Sequence, residues 1–208
     1  KFLLKNNYLD NNNIDRYKDS ISAEIDKGLD IAFNTKEVVA DAINEYSDVY
    51  RKYNFIKQKT INNKVSNIRL VDAISNGLKQ CMDKYDNLII MGQDIAEYGG
   101  VFKITDGFLD LFGKERVRNT PICESIILSM GLGLSVKGFK SVIEMQFADF
   151  VSSGFNAVVN NLAKTHYRWG QNVDVVVRMP TGANVNAGPF HSQSNESWFT
   201  HTPGLKVV

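Results

Sequence analysis

Cysteine is scarce in this chain: Cys81 and Cys123 occur alone, with no metal-ligand spacing and no second pair to frame a disulfide scaffold. That excludes a small disulfide-stapled domain and points to a reducing, cytoplasmic compartment. Long apolar runs are lacking too, since Ser, Gly and Pro interrupt each one before it could cross a bilayer. The opening Lys1-Phe-Leu-Leu-Lys-Asn-Asn-Tyr-Leu turns polar too soon for a signal peptide. It also lacks an initiator methionine, so an excerpt of a longer polypeptide is expected. No basic cluster with interleaved aromatics is found and the formal net charge is only +1, which argues against nucleic acid or an anionic membrane as a partner. A Walker loop is missing, and Gly131-Leu-Gly133 has neither the third glycine nor the preceding strand of a dinucleotide fingerprint.

What is present is an ordinary globular composition, 43% hydrophobic and 23% charged over 208 residues. That length holds one good-sized domain and an appendage. Ile14, Tyr17, Ile21, Ile25, Leu29 and Ala32 recur at three- and four-residue steps, the apolar stripe of a helix. A second helix is expected from about Thr35, as N-cap, through Val38, Val39, Ala42 and Ile43. These helices cannot bury a core alone. From Ile68 onward helices and strands alternate. Helices are expected from Ile68 to Cys81, from Ser125 to Val136 and, as one long element, from Phe147 to Tyr167. Strands are expected at Leu88–Met91, Ser141–Met145 and Val173–Val177, with another beginning at Leu205–Val208. The pattern is that of an α/β domain whose mainly parallel sheet is flanked by helices. The organisation is a helical tail over 1–53, a linker over 54–66 and the α/β domain over 67–208.

Charge is also scarce between Arg118 and Lys137, where Glu124 stands alone at the head of an apolar run. Two readings fit: a first-turn carboxylate favoured by the helix dipole, or an acid buried for chemistry. A carboxylate buried without a basic partner is driven toward its neutral form, which suits proton transfer near neutral pH. Glu144-Met-Gln-Phe-Ala-Asp-Phe150 ends a strand and starts a helix, with Phe147 and Phe150 on one face. Their rings are either core or a platform for a flat heterocycle. The small-residue loop Thr181–Ser194 carries His191, either a bystander or a donor to developing negative charge. In open α/β sheets ligands sit beyond the carboxyl ends of the strands. Glu124, Phe147–Phe150 and the loop after Arg178 are all expected there.

Asn119-Thr-Pro-Ile-Cys-Glu124, Gln93–Phe102, Glu144–Phe150, Phe190-His-Ser-Gln-Ser194 and Thr200–Val208 together resemble the β subunit of the decarboxylating component of 2-oxoacid dehydrogenase complexes. The Gly-Gly-Val-Phe and Gln-Phe-Ala-Asp-Phe runs are closer to the branched-chain enzyme than to the pyruvate enzyme. The resemblance covers residues 66–208. Residues 1–50 resemble, less specifically, the C-terminal tail of the α subunit, which implies a fused α/β parent. The fold implied is a transketolase-like pyrimidine-binding domain, and the cofactor implied is thiamine diphosphate with Mg. By the resemblance Glu124 hydrogen-bonds the aminopyrimidine ring nitrogen and so favours the tautomer that activates the thiazolium carbon. Phe150 stacks on the pyrimidine, Ile122 touches the same ring, and Gln146 lies near the cofactor and substrate. His191 serves the reacting centre. The implied partners are an α-like diphosphate-binding domain, a lipoyl-bearing acyltransferase, a 2-oxoacid substrate and further copies in a homo-oligomer.

Three departures stand out. The Gly-Asp-Gly…Asn motif for Mg and diphosphate is absent, so those ligands are expected elsewhere and this stretch alone should be inactive. The family's C-terminal β domain is missing. Bulky Ile126, Ile127 and Leu128 stand where small residues usually follow the glutamate. Competing readings are a transketolase-like thiamine enzyme and a non-catalytic subunit-assembly module.

Overall fold

Residues 1–52 and 65–208 are described by a computed structural model. The expected linker therefore lies largely outside the described residues. The chain divides into two compact units, Lys1–Asp41 and Ala42–Val208.

In the first unit a short helix α1 (Phe2–Lys5) precedes the long helix α2 (Asn11–Asn34). Asp10 caps α2, its carboxylate accepting from the Asn13 amide at 2.6 Å. The expected stripe is present, but Tyr17, Ile21, Ile25 and Leu29 are all exposed. Thr35 ends this helix and does not start another: its hydroxyl donates to the Ile31 carbonyl at 2.6 Å.

The second unit begins with α3 (Ala42–Val49), which packs on α7 (Ala163–Trp169). α4 (Leu70–Lys84) is amphipathic and inserts Met82 into the core. β1 (Leu88–Gly92) is buried along its whole length. Successive strand side chains face opposite ways, so Leu88 and Ile90 join Met82, Phe108 and Val142 on one face. Ile89 and Met91 join Ile127, Leu128 and Ile143 on the other. Burial on both faces is why the strand reads as an unbroken apolar run.

The other strands are β2 (Val117–Asn119), β3 (Lys140–Glu144) and β4 (Val175–Arg178), in the order β2-β1-β3-β4, all parallel. Parallel neighbours need crossover connections, supplied by α5 (Phe108–Phe112), α6 (Glu124–Val136) and the helical stretch from Ala148 to Trp169. Arg116 braces one edge, donating to the Met82, Tyr85 and Leu88 carbonyls at 2.8, 2.7 and 3.0 Å. A last short helix, α8, spans Ser197–Thr200.

Besides Thr35, three further stretches differ from the sequence reading. β2 escapes notice in the sequence because it is three residues long and only Val117 is buried. The long helix from Phe147 is instead a 3₁₀ segment (Ala148–Gly154), a π segment (Ala157–Leu162) and then α7. Ala148, Val151 and Gly154 point inward at three-residue steps, as a three-residue turn requires. Leu205–Val208 forms no strand; without a pairing partner an apolar run has no ladder to join.

The bulky residues after Glu124 are accommodated by their neighbours. Ile127 and Leu128 are fully buried, whereas Ile126 faces outward. Gly131 lets α6 lie against the sheet, since a Cβ there would meet Ile143 and Val175 side chains at 3.1 and 3.2 Å.

Candidate functional site at the carboxyl edge of the sheet

The ends of all four strands point to one edge, and the loops leaving them carry the candidate residues. β2 leads through Thr120 and Pro121 to Glu124, the first residue of α6. Thr120 donates its amide to the Gly92 carbonyl at 2.9 Å, which sets this loop beside the end of β1. Gln93, buried just past β1, donates from Nε2 to Glu124 Oε1 at 3.3 Å. Ser153, on the 3₁₀ segment after β3, directs its hydroxyl both to Glu124 Oε2 at 3.3 Å and to the Phe150 carbonyl at 2.9 Å. Each oxygen of the acid thus has one uncharged donor. The side chain is half-buried at the head of α6, between the two sequence readings of an outward first-turn carboxylate and a buried acid, and so keeps an open side.

Beside this acid lies an aromatic cluster. Phe147 and Phe150 meet edge to face at 5.7 Å between ring centres, and the His191 ring packs edge-on to both, at 5.1 and 5.3 Å. Phe102, from the loop after β1, adds a fourth ring 5.9 Å from Phe147. That loop turns back through Gly99, at φ +77°, where a Cβ would lie 2.7 Å from the Asp106 backbone. Gln146 donates to Asp94 Oδ2 at 3.3 Å, which ties the end of β3 to the loop after β1. Ile122, two positions before Glu124, stands out toward solvent, 83% exposed.

Glu124, Phe150 and His191 are therefore brought to one edge, with Gln146 at its border and Ile122 on the rim. Sequence reasoning missed Gln93 and Ser153, whose roles depend on contacts across distant loops. It also missed the pair between Glu144, 3% exposed, and Arg178, whose guanidinium lies 2.9 Å from Glu144 Oε2. The signal was there: Glu144 is a second lone acid in an apolar segment.

A wholly parallel sheet flanked by helices, with an acid at a helix head and an aromatic cluster at its carboxyl edge, defines an α/β domain with a candidate ligand site where such sheets usually carry one. The chain belongs to the family of the transketolase pyrimidine-binding domain, which matches residues 66–208. It is 43% identical over 144 residues to the mitochondrial 2-oxoisovalerate dehydrogenase subunit beta of Dictyostelium discoideum, covering 68% of this chain and 39% of that protein. The corresponding Bacillus subtilis subunit is 40% identical over 140 residues, 66% of this chain and 43% of the relative. The pyruvate dehydrogenase E1 component subunit beta of Leifsonia xyli is 36% identical over 147 residues, 70% and 44% of the two chains. The likeness is thus branched-chain in character, and this chain spans well under half the length of these relatives.

The donor set fits the pyrimidine half of thiamine diphosphate: a part-open carboxyl for a ring nitrogen beside aromatic faces for a flat ring. Among the described residues no group of three or more His, Cys, Asp or Glu side chains could hold a metal ion. Nor is any described helix long and apolar enough to cross a membrane.

Proposed function

We propose that this chain is the pyrimidine-binding part of a thiamine-diphosphate-dependent 2-oxoacid dehydrogenase. The enzyme would oxidatively decarboxylate a branched-chain or pyruvate-like 2-oxoacid and acylate lipoyl groups. The observation that carries the reading is the Glu124 carboxyl, held by Gln93 and Ser153 next to the Phe147–Phe150–His191 cluster. When bound, the cofactor supplies a nucleophilic carbon and an electron sink for the departing carboxylate.

The protein's own part is positioning and proton control. Glu124 shares a proton with the ring nitrogen of the aminopyrimidine, and Gln93 and Ser153 fix which way its two oxygens face. Phe150 offers its ring face to the pyrimidine, and Ile122 covers the same ring from the rim. Gln146 orients groups near the substrate. His191, with two ring nitrogens able to donate or accept, steadies negative charge at the reacting carbon and serves acyl transfer. Mg and the diphosphate belong to an α-like domain, so this chain alone holds half a site and does not turn over. That domain, a lipoyl-bearing acyltransferase and further copies of the enzyme are the partners, and residues 1–53 are read as the tail of the α-like region. The two unpaired thiols suit a cytoplasmic enzyme.

Glu124→Gln tests the reading. In the complete enzyme it should lower kcat by roughly a hundredfold or more, the usual scale of a positioned acid–base group. Calorimetry with thiamine diphosphate should still show Mg-dependent binding. Near-wild-type turnover would sink the assignment, and no cofactor binding by the wild type would sink the class.

A further inference from the structure

The loop after β4 is closed on itself and then fastened to the segment that carries the aromatic platform. Thr181 donates its hydroxyl to the Gln193 carbonyl at 2.7 Å, joining the two ends of the loop. Inside it, Gln193 Nε2 reaches the Pro189 carbonyl at 2.6 Å and the Ala187 amide donates to Ser192 Oγ at 3.0 Å. This is the organisation of a compact Ω-loop, and its passenger is His191.

The loop's neck is fixed from outside by the residues between Phe147 and Phe150. Asp149 Oδ1 accepts the Gln193 amide at 3.2 Å. Asn195, itself buried, donates to the Ala148 carbonyl at 2.9 Å, and the Ala148 amide donates to the Pro180 carbonyl at 2.8 Å. Phe147 and Phe150 thus meet His191, while Asp149 and Ala148 between them hold residues two and four positions further on. Asp149 is 8% exposed, and its second oxygen is buried with no partner among the described residues. A buried carboxyl with one hydrogen bond costs the fold more than an apolar side chain of similar size would. Its value must lie in what the one bond fixes.

We propose that Asp149 is a positioning residue, the latch that seats the His191 loop on the aromatic platform. It acts through the Gln193 backbone and touches neither cofactor nor substrate. The consequence for catalysis rests on the reading of His191 given above, but the latch itself does not.

The test compares Asp149→Ala, Asp149→Asn and Thr181→Val in the complete enzyme by amide hydrogen exchange over residues 182–193, with kcat, KM and thiamine diphosphate affinity measured alongside. Asp149→Ala should speed exchange in the loop roughly tenfold, the scale of one lost hydrogen bond to a carboxylate. kcat should fall by a similar factor, with KM and cofactor affinity within about twofold of wild type, because the pyrimidine contacts are untouched. Asp149→Asn keeps an acceptor oxygen and should recover most of both losses. Thr181→Val opens the neck without disturbing the buried carboxyl, and it should reproduce the faster exchange even if Asp149→Ala does not fold. Unchanged exchange in a folded Asp149→Ala, unchanged exchange in Thr181→Val where Asp149→Ala does not fold, or an Asp149→Asn variant as fast as the alanine, overturns the latch. Faster exchange in an enzyme that never binds thiamine diphosphate leaves the latch standing and refutes the cofactor reading.

Discussion

Gly154→Ala asks whether the 3₁₀ segment really makes room for the bulky side chains that follow Glu124. A Cβ at Gly154 would lie 2.3 Å from Leu128 Cδ1 and 3.4 Å from the Ser125 backbone. Leu128 is fully buried among β1, β3 and the helices behind them, so it cannot swing aside without displacing core neighbours. Such overpacking costs about 1–3 kcal/mol. Removing a helical glycine returns roughly 0.5–1 kcal/mol, so the expected net loss is about 1–2 kcal/mol. Gly133→Ala is the control: nothing lies within 4 Å of its Cβ position, and the same change there should stabilise by about 0.4–1 kcal/mol. Leu128→Ala alone should cost about 2–5 kcal/mol. In the double variant the new methyl enters the vacated volume, so the combined loss should fall short of the sum by about 1 kcal/mol or more. Urea unfolding of the four variants reads all of this. Additive losses, or a Gly154→Ala variant as stable as Gly133→Ala, would refute the packing argument.

The remaining expectations are narrower. Arg178→Met should destabilise by about 3–5 kcal/mol in thermal unfolding, because it leaves the Glu144 carboxylate, 3% exposed, without its cation. Adding Glu144→Gln should recover a large part of that loss, and a harmless single variant would show that the pair is not what satisfies Glu144. At the start of α4 the side-chain hydrogen bond from Arg69 holds the Asp72 carboxyl below the usual carboxylate range. A depressed folded value means the pair's contribution is present above the ordinary carboxylate range and is lost as pH falls through the depressed one. An NMR titration of Asp72 should move up to that ordinary range in Arg69→Ala; an unmoved midpoint would remove Arg69 as the cause.

The parallel sheet was legible because β1 and β3 are buried on both faces, or nearly so, and together with the valine-rich β4 read as apolar runs between helical periods. β2 was not, since Arg118 and Asn119 hide a strand whose sole buried residue is Val117. Thr35 misled for a related reason. A hydroxyl bonds equally well to amides at a helix start and to carbonyls at a helix end, and here it meets the Ile31 carbonyl. The 3₁₀ and π segments share the apolar spacing of an α-helix closely enough that composition alone does not separate them.

The site was legible to a different depth. Glu124 and Glu144 look alike in the sequence, each a lone acid in an apolar stretch. Only the fold separates them. Glu144 lies at the end of β3 opposite Arg178 on β4, in a register that matches the two residues directly, so its charge is answered within the sheet. Glu124 lies one loop beyond β2, where its donors are an amide and a hydroxyl and one side stays open. An acid that the fold has already paired with a cation has little left to offer a ligand. One held in place by uncharged donors is oriented without being neutralised, and that is the condition under which a carboxyl can share a proton with a bound ring. Long-range pairing therefore separates the acid already answered by a cation from the one proposed to meet a ligand, and pairing of that kind is what a linear sequence conceals.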